Sequence, residues 1–171
     1  MHNKLTTLLK IRGVKLTLEI LFIAVLFFAI KAYMQRNLID GPAPLVEGDL
    51  LSGQSISLHS FKGQPVLLHF WATWCPVCKL EQGSIEAISK DHNVITIAMN
   101  SGNKLEVQAF LEENQLSFPV IVDENGRIAE RFGVSGVPTS FIIDNSGNIA
   151  FTEVGYTSSW GLRLRLWVAE K

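Results

Sequence analysis

Both cysteines of this chain stand two residues apart, inside Phe70-Trp71-Ala72-Thr73-Trp74-Cys75-Pro76-Val77-Cys78-Lys79-Leu80-Glu81. A bridge across so short a loop hardly restrains an unfolded chain, so its value is chemical rather than structural. Two cysteines also exclude a disulfide-rich scaffold. The flanks constrain the fold further. Pro65 to Trp71 is a nearly continuous apolar run, as expected of a central strand covered on both faces. Pro76 to Ser89 spaces Val77, Leu80, Ile85 and Ile88 roughly along one helical face. A doubly covered strand running into a helix at the dithiol predicts an α/β domain.

That junction suits thiol chemistry. Cys75 falls at the helix N-terminus, where unpaired N–H groups and the helix dipole favour an anion. Its thiol pKa is lowered there, which makes Cys75 the nucleophile. Pro76 fits the first helical turn, having no N–H to lose and a preset φ. Cys78 lies about one turn on, on the same face and within disulfide reach. It points inward and is the thiol that attacks the mixed disulfide. Trp74 is expected as a flat apolar lid beside the sulfurs, with Trp71 packed beneath.

Residues 1–15 are basic, with Lys4, Lys10, Arg12 and Lys15 and no acid. From Leu16 to Met34 the chain is apolar except at Thr17, Glu19 and Lys31. That is close to the ~20 residues that cross a bilayer, and Lys31 can snorkel towards the headgroups. The expected organisation is a leader over 1–15, a transmembrane anchor over 16–34, a linker over 35–44 and a globular domain over 45–171. A cleaved signal peptide is the rival reading. It asks for small residues first and third before the cut, which Ile30-Lys31-Ala32 supplies poorly. Four basic residues precede the span, against Lys31 and Arg36 just after it. The leader is therefore expected in the cytoplasm and the domain outside.

Within the domain, Leu45 to Leu58 reads as a small hairpin and Val94 to Met99 as a second buried strand. Leu105 to Glu113 reads as an amphipathic helix with Leu105, Ala109 and Phe110 on one side. Phe118 to Val122 is a short strand, and Arg127 to Phe132 a short helix stopped by Gly133. Thr139–Ile143 and Ile149–Val154 flank the hairpin turn Asp144-Asn145-Ser146-Gly147-Asn148. Ser158 or Ser159 caps a last helix to Glu170. The order gives a mixed sheet flanked by helices.

Phe70-Trp71-Ala72-x-Trp74-Cys75-x-x-Cys78-Lys79 resembles the thioredoxin active-site motif, and Val137-Pro138-Thr139 resembles the cis-proline loop that faces it in that fold. The resemblance covers about Leu45 to Lys171. It implies a thioredoxin-like domain in which Pro138 is cis and Val137, Pro138 and Thr139, with Trp74, Pro76 and Val77, meet the substrate backbone near Cys75. The anchor, the early hairpin and Glu81 resemble the membrane-anchored, periplasm-facing branch. Gly155 to Trp167 further resembles the oxidoreductase of the suppressor-of-copper-sensitivity group. His69 departs from the pattern, standing where thioredoxin has a buried carboxylate. A neutral His69 would relay a proton to or from Cys78, a cationic one would stabilise thiolate, and a core histidine bonded to backbone would do neither. Glu81 is either the acid/base group of the anchored branch or a solvated helix carboxylate. Relatives often carry proline after this glutamate; here Gln82-Gly83 follows.

The function expected is an enzyme: a thiol-disulfide oxidoreductase acting on protein thiols and disulfides outside the cytoplasm. It would be held in the inner membrane and recharged by a thiol-type membrane electron donor. No cofactor and no metal ligand set is expected. A Cu(I)-binding or copper-stress protein using the same soft thiolates is the alternative, but the chain has three methionines, none near the motif. A peroxiredoxin is disfavoured by Ala72, which stands at that family's threonine position. The net charge of −1 makes no case for nucleic acid. Pro76-Val77 matches neither the reducing nor the strongly oxidising dipeptide. A thiol pKa lowered from ~8.5 to ~6.5 shifts the potential by only about 18 mV, and one lowered to ~3.5 by about 100 mV. The spread between a reducing and a strongly oxidising member is ~150 mV. With no imidazole at Val77, the expectation is a reductant or an intermediate potential.

Overall fold

Six consecutive side chains of β4 (Val66–Trp71) are buried, so this strand has helices or loops on both faces. The computed structural model describes residues 2–171, with side chains from Val14 on. Of the expected basic leader, Met1 and the side chains up to residue 13 lie outside what is described. Two compact units are present, one ending at Arg36 and one spanning Asn37–Lys171.

The first unit is helix α1 (His2–Gln35). Its stretch Val14–Gln35, 22 residues, is long and apolar enough to cross a membrane. At ~1.5 Å per residue it matches a hydrocarbon core of ~30 Å. Its apolar side chains are exposed, Phe22 and Phe28 among them.

The second unit has the thioredoxin-like α/β fold. Its main sheet has six strands, with β4 inside it. β4 pairs parallel with β5 (Asn93–Met99), which pairs parallel with β6 (Val120–Asp123). On its other side β4 pairs antiparallel with β7 (Thr139–Ile143), then comes β8 (Asn148–Val154). The stretch expected as linker contributes β1 (Gly41–Pro42), which pairs with β8. The early hairpin forms as β2 (Glu47–Asp49) and β3 (Ser55–Ser57). A parallel pair needs a long crossover, which α2 (Pro76–Ile88) and α3 (Lys104–Glu113) provide. α4 (Arg127–Arg131) and α5 (Ser159–Ala169) complete the layers.

Strand alternation splits the core in two. Leu67 and Trp71 join α2, α3 and α5 through Ile85, Ile88, Val107, Leu111, Leu162 and Leu166. Val66, Leu68 and Phe70 join Ile128, Phe132 and Phe141 on the opposite face. His69 alternates onto the Leu67–Trp71 face.

Two helical faces differ from expectation. In α3 the buried positions are Val107 and Leu111, with Phe110 partly buried; Ala109 is exposed and Leu105 is 81% exposed. Two apolar sets compete on this helix, which a capping box of Asn103 and Glu106 starts, and the Val107 set is the one buried in the domain core. In α2 the buried set is Cys78, Glu81, Gln82, Ile85 and Ile88, while Leu80 is 76% exposed. Because Cys78 must face the core, its i+3 and i+4 neighbours face it too, whatever their polarity.

Gly133 ends α4 with φ +67°, and a Cβ there would collide with the backbone carbonyl of Asn37. Both the left-handed conformation and the closeness of backbone demand glycine. Gly133→Ala is expected to lower stability by about 1–3 kcal/mol, measured as a shift of the urea midpoint at unchanged slope.

Candidate active site

β4 ends at Trp71, and the chain turns through Ala72 to Trp74. Cys75 N–H donates to Ala72 O at 3.2 Å. Cys75 is the N-cap of α2, with Pro76 in the first turn, and its Sγ accepts the N–H of Cys78 at 3.1 Å. Cys75 and Cys78 form a disulfide with Cα atoms 5.3 Å apart. Cys78 is 1% exposed and Cys75 4%. The helix N-terminus that was expected to stabilise a Cys75 thiolate is thus built, with one orphan N–H already on the sulfur.

The turn is anchored by the two residues that follow β5. Thr73 N–H donates to Ser101 Oγ at 3.1 Å, and Trp74 Nε1–H to Asn100 O at 3.0 Å. Trp74 is 60% exposed beside the motif, whereas Trp71 is buried and donates through Nε1 to Thr96 Oγ1. The Val137-Pro138 peptide is cis. Its loop reaches the dithiol: Cys75 Sγ lies 3.5 Å from Val137 O. Thr139, at the start of β7, is buried and donates to Gly136 O, closing that loop. Cys75, Cys78, Trp74, Pro76, Val77, Val137, Pro138 and Thr139 therefore gather at one end of the sheet.

Glu81 is fully buried, which removes the solvated-carboxylate reading. Its Oε1 accepts Thr157 N–H at 3.0 Å, while Oε2 has no partner. Burial raises its pKa to about 7, against a smaller lowering by the Thr157 bond. It stands three residues after Cys78 on the same helical face, so the two side chains are neighbours. Gln82 is buried as well, and its Nε2 is unpaired.

His69 is buried, and its Nδ1 is 2.9 Å from Ser140 Oγ. Burial lowers its pKa to about 3, so the ring is neutral at pH 7. The cationic alternative is thereby removed, and the partner is a side-chain hydroxyl rather than backbone. Sequence reasoning missed three residues: Ser140, Thr157 and Gln82. Ser140 carried a readable signal, a hydroxyl inside the otherwise apolar Ser140–Ile143 run. Thr157 acts through its backbone, so no side chain advertised it.

A family model described as the AhpC/TSA family matches residues 39–152. A thioredoxin-like protein of Haemophilus influenzae is 35% identical over 122 residues, covering 70% of this chain and 72% of its own. Sporulation thiol-disulfide oxidoreductase A of Bacillus subtilis is 30% identical over 127 residues, covering 70% and 75%. The crystal structure of a thiol:disulfide interchange protein of the thioredoxin family from Chlorobium tepidum superposes with a TM-score of 0.68. That structure is 28% identical, with 78% of this chain and 98% of the other covered. These likenesses lend no support to the copper alternative.

The sign of the Glu81 effect on stability follows from its raised pKa. Between about 4.5 and 7 the folded state holds a proton that the unfolded state has released, so stability falls as pH rises. The stabilising influence is complete below pH 4.5 and gone above about 7. Glu81→Gln abolishes this slope. Relative to wild type the variant should gain on the order of 3 kcal/mol between pH 4.5 and 8, read from urea unfolding at a series of pH values.

Proposed function

This chain belongs to the AhpC/TSA family and is a thiol-disulfide oxidoreductase; from that premise we propose that it exchanges disulfides with polypeptides outside the cytoplasm, as a reductant or at intermediate potential. One observation carries the reading. A cysteine at a helix N-terminus lies against the cis-proline loop, and a buried carboxylate of raised pKa stands one turn beyond the second cysteine.

In the reducing direction, the Cys75 thiolate attacks one sulfur of the substrate disulfide. A mixed disulfide forms and the first substrate thiolate leaves. Cys78 then gives its proton to Glu81 and attacks Cys75 Sγ. The second substrate thiolate leaves, and the dithiol has passed two electrons to the substrate. A carboxylate with a pKa near 7 is matched to taking that proton at neutral pH. Val137, Pro138 and Thr139 hold the substrate backbone, and Trp74, Pro76 and Val77 border it. Neutral His69, on β4 and bonded to Ser140, is the second group able to pass a proton to or from Cys78.

Residues 16–34 anchor the chain in the inner membrane. The basic leader stays on the cytoplasmic side, and the unit of Asn37–Lys171, which takes most of the expected linker into its fold as β1 and its approach, faces outward. The excess of basic residues before the span supports that orientation. A membrane thiol donor restores the dithiol. The Gly155–Trp167 resemblance supports a finer placement in the suppressor-of-copper-sensitivity group, with disulfide exchange as the chemistry.

Cys78→Ala is expected to accumulate a mixed disulfide between Cys75 and a partner in native membranes. Non-reducing electrophoresis would reveal it, and the absence of any adduct would count against the mechanism. The reduction potential is expected below about −200 mV, whereas a value near −120 mV would make the protein an oxidant.

A further inference from the structure

The last helix is apolar on two sides. α5 buries Leu162, Leu166 and Ala169 in the core cluster of Leu67 and Trp71. Trp160, Leu164, Trp167 and Val168 are 84%, 59%, 54% and 43% exposed. Ser158 caps the helix by accepting Gly161 N–H at 3.2 Å, so Trp160 already stands in the regular first turn. At ~3.6 residues per turn the four exposed positions share one face, about half a turn round from the buried set. Spacing and exposure together make them one stripe. A surface helix ordinarily turns polar residues outward on that side. An uncovered stripe that holds two tryptophans marks an interaction surface.

We propose that this stripe pairs α5 with α5 of a second copy of the chain, antiparallel across a two-fold axis at Leu164. A two-fold contact must be self-complementary. The stripe reads nearly the same in both directions from Leu164, with Trp160 one turn before it and Trp167 one turn after. Laid antiparallel on itself, it sets each Trp160 against Trp167 and Val168 of the other copy, and Leu164 against its twin. The charges at its edges are already matched within one copy. Arg163 donates to Asp91 Oδ2 at 2.6 Å, and Arg165 pairs with Glu153. An identical edge therefore brings up no unpaired like charge, and neither arginine is free for an anionic headgroup. Lys171 stacks on Trp167, with Nζ 3.5 Å from the ring centre. An antiparallel crossing keeps the two lysines at opposite ends.

Area and position also select this occupant. A whole aromatic side chain offers ~150–250 Å², so the exposed parts of these four come to on the order of 500 Å² per copy. Two copies then bury about 1,000 Å², the lower limit of a specific interface. Such a contact is weak between free molecules. Copies anchored in one membrane are concentrated there, which lets a small interface form; in this respect the pairing rests on the anchor reading above. Within the domain, the entering segment packs on the other side of the sheet. Leu38 and Ile39 join the cluster of Phe70 and Phe132, whereas α5 joins that of Trp71. The stripe is therefore turned away from the point where the chain enters, as a sideways contact between copies requires.

The test uses the full chain in phosphatidylcholine vesicles. Donor and acceptor dyes on the N-terminal amine of two pools report pairing by energy transfer as the protein-to-lipid ratio is varied. Leu164→Glu and Leu164→Lys should each raise the density needed for half pairing more than about tenfold, because like charges then meet at the axis. An equimolar mixture of the two, one carrying donor and the other acceptor, should return it to within about twofold of wild type. As a second readout, Leu164→Cys in a chain with Cys75→Ser and Cys78→Ser should be joined to its twin by a short bismaleimide. Leu105→Cys, exposed on α3, should not. Wild-type transfer no greater than random proximity overturns the proposal. So does pairing untouched by either charge, which assigns self-association to another surface. Failure of the mixture to restore pairing, or equal cross-linking at Leu105, overturns it as well. Monomeric chains whose tryptophan emission shifts to the blue on vesicles would give the stripe to lipid. A chain that does not float with the vesicles overturns the anchor reading and the pairing with it.

Discussion

A strand covered on both faces leaves chemistry only one place to go. Every residue of β4 pairs with β5 and all but Trp71 also with β7, and every side chain is buried. Water and substrate can reach the strand only where the ladder stops, at Trp71. The chain must also reverse there, because a parallel neighbour requires a crossover. Reversal into a helix leaves unpaired N–H groups at the turn, and a sulfur at the N-cap satisfies one of them. The second anchor comes from β7, whose first residue, Thr139, pairs with Phe70 and whose preceding loop carries the cis-proline. The position of the dithiol therefore depends on the burial of β4 more than on any contact made by the cysteines.

The same burial gives two ionisable side chains opposite fates. His69 sits within the sheet beside a hydroxyl and is kept neutral by loss of water. Glu81 sits on the helix above, with one oxygen bonded and one unpaired, and desolvation keeps its proton on until about pH 7. Desolvation opposes charge of either sign, so it lowers the base and raises the acid. Only Glu81 ends near neutrality, and only Glu81 is tied to a loop at the rim. The acid/base group and the position of Tyr156 thus share one hydrogen bond.

Much of this was legible in the residues. The apolar run, the cysteine spacing, Pro76 and the Gly133 stop each reflect a local rule, and each element formed where its rule applied. The misreadings came from faces. On α3, Leu105 and Ala109 form as good a stripe as Val107 and Leu111, and only contact with the sheet distinguishes them. On α2, counting apolar residues selected Val77 and Leu80, yet Cys78 turns the helix so that Glu81 and Gln82 face inward. A helical period gives spacing without phase, and phase is set by the partner surface.

Taken alone, the amino-acid order determined the elements, the apolar N-terminal helix and the redox pair, because these depend on neighbours within a few residues. Tertiary structure decided which side chains lost water. It set Glu81 against Thr157, 76 residues away, and His69 against Ser140, 71 residues away. It also left Leu80, Tyr156 and Trp160 uncovered. Hydration is a property of everything packed around a side chain, and no local pattern encodes it. For that reason the motif Phe70–Glu81 announced a dithiol and a candidate acid, while only the fold took that acid out of water.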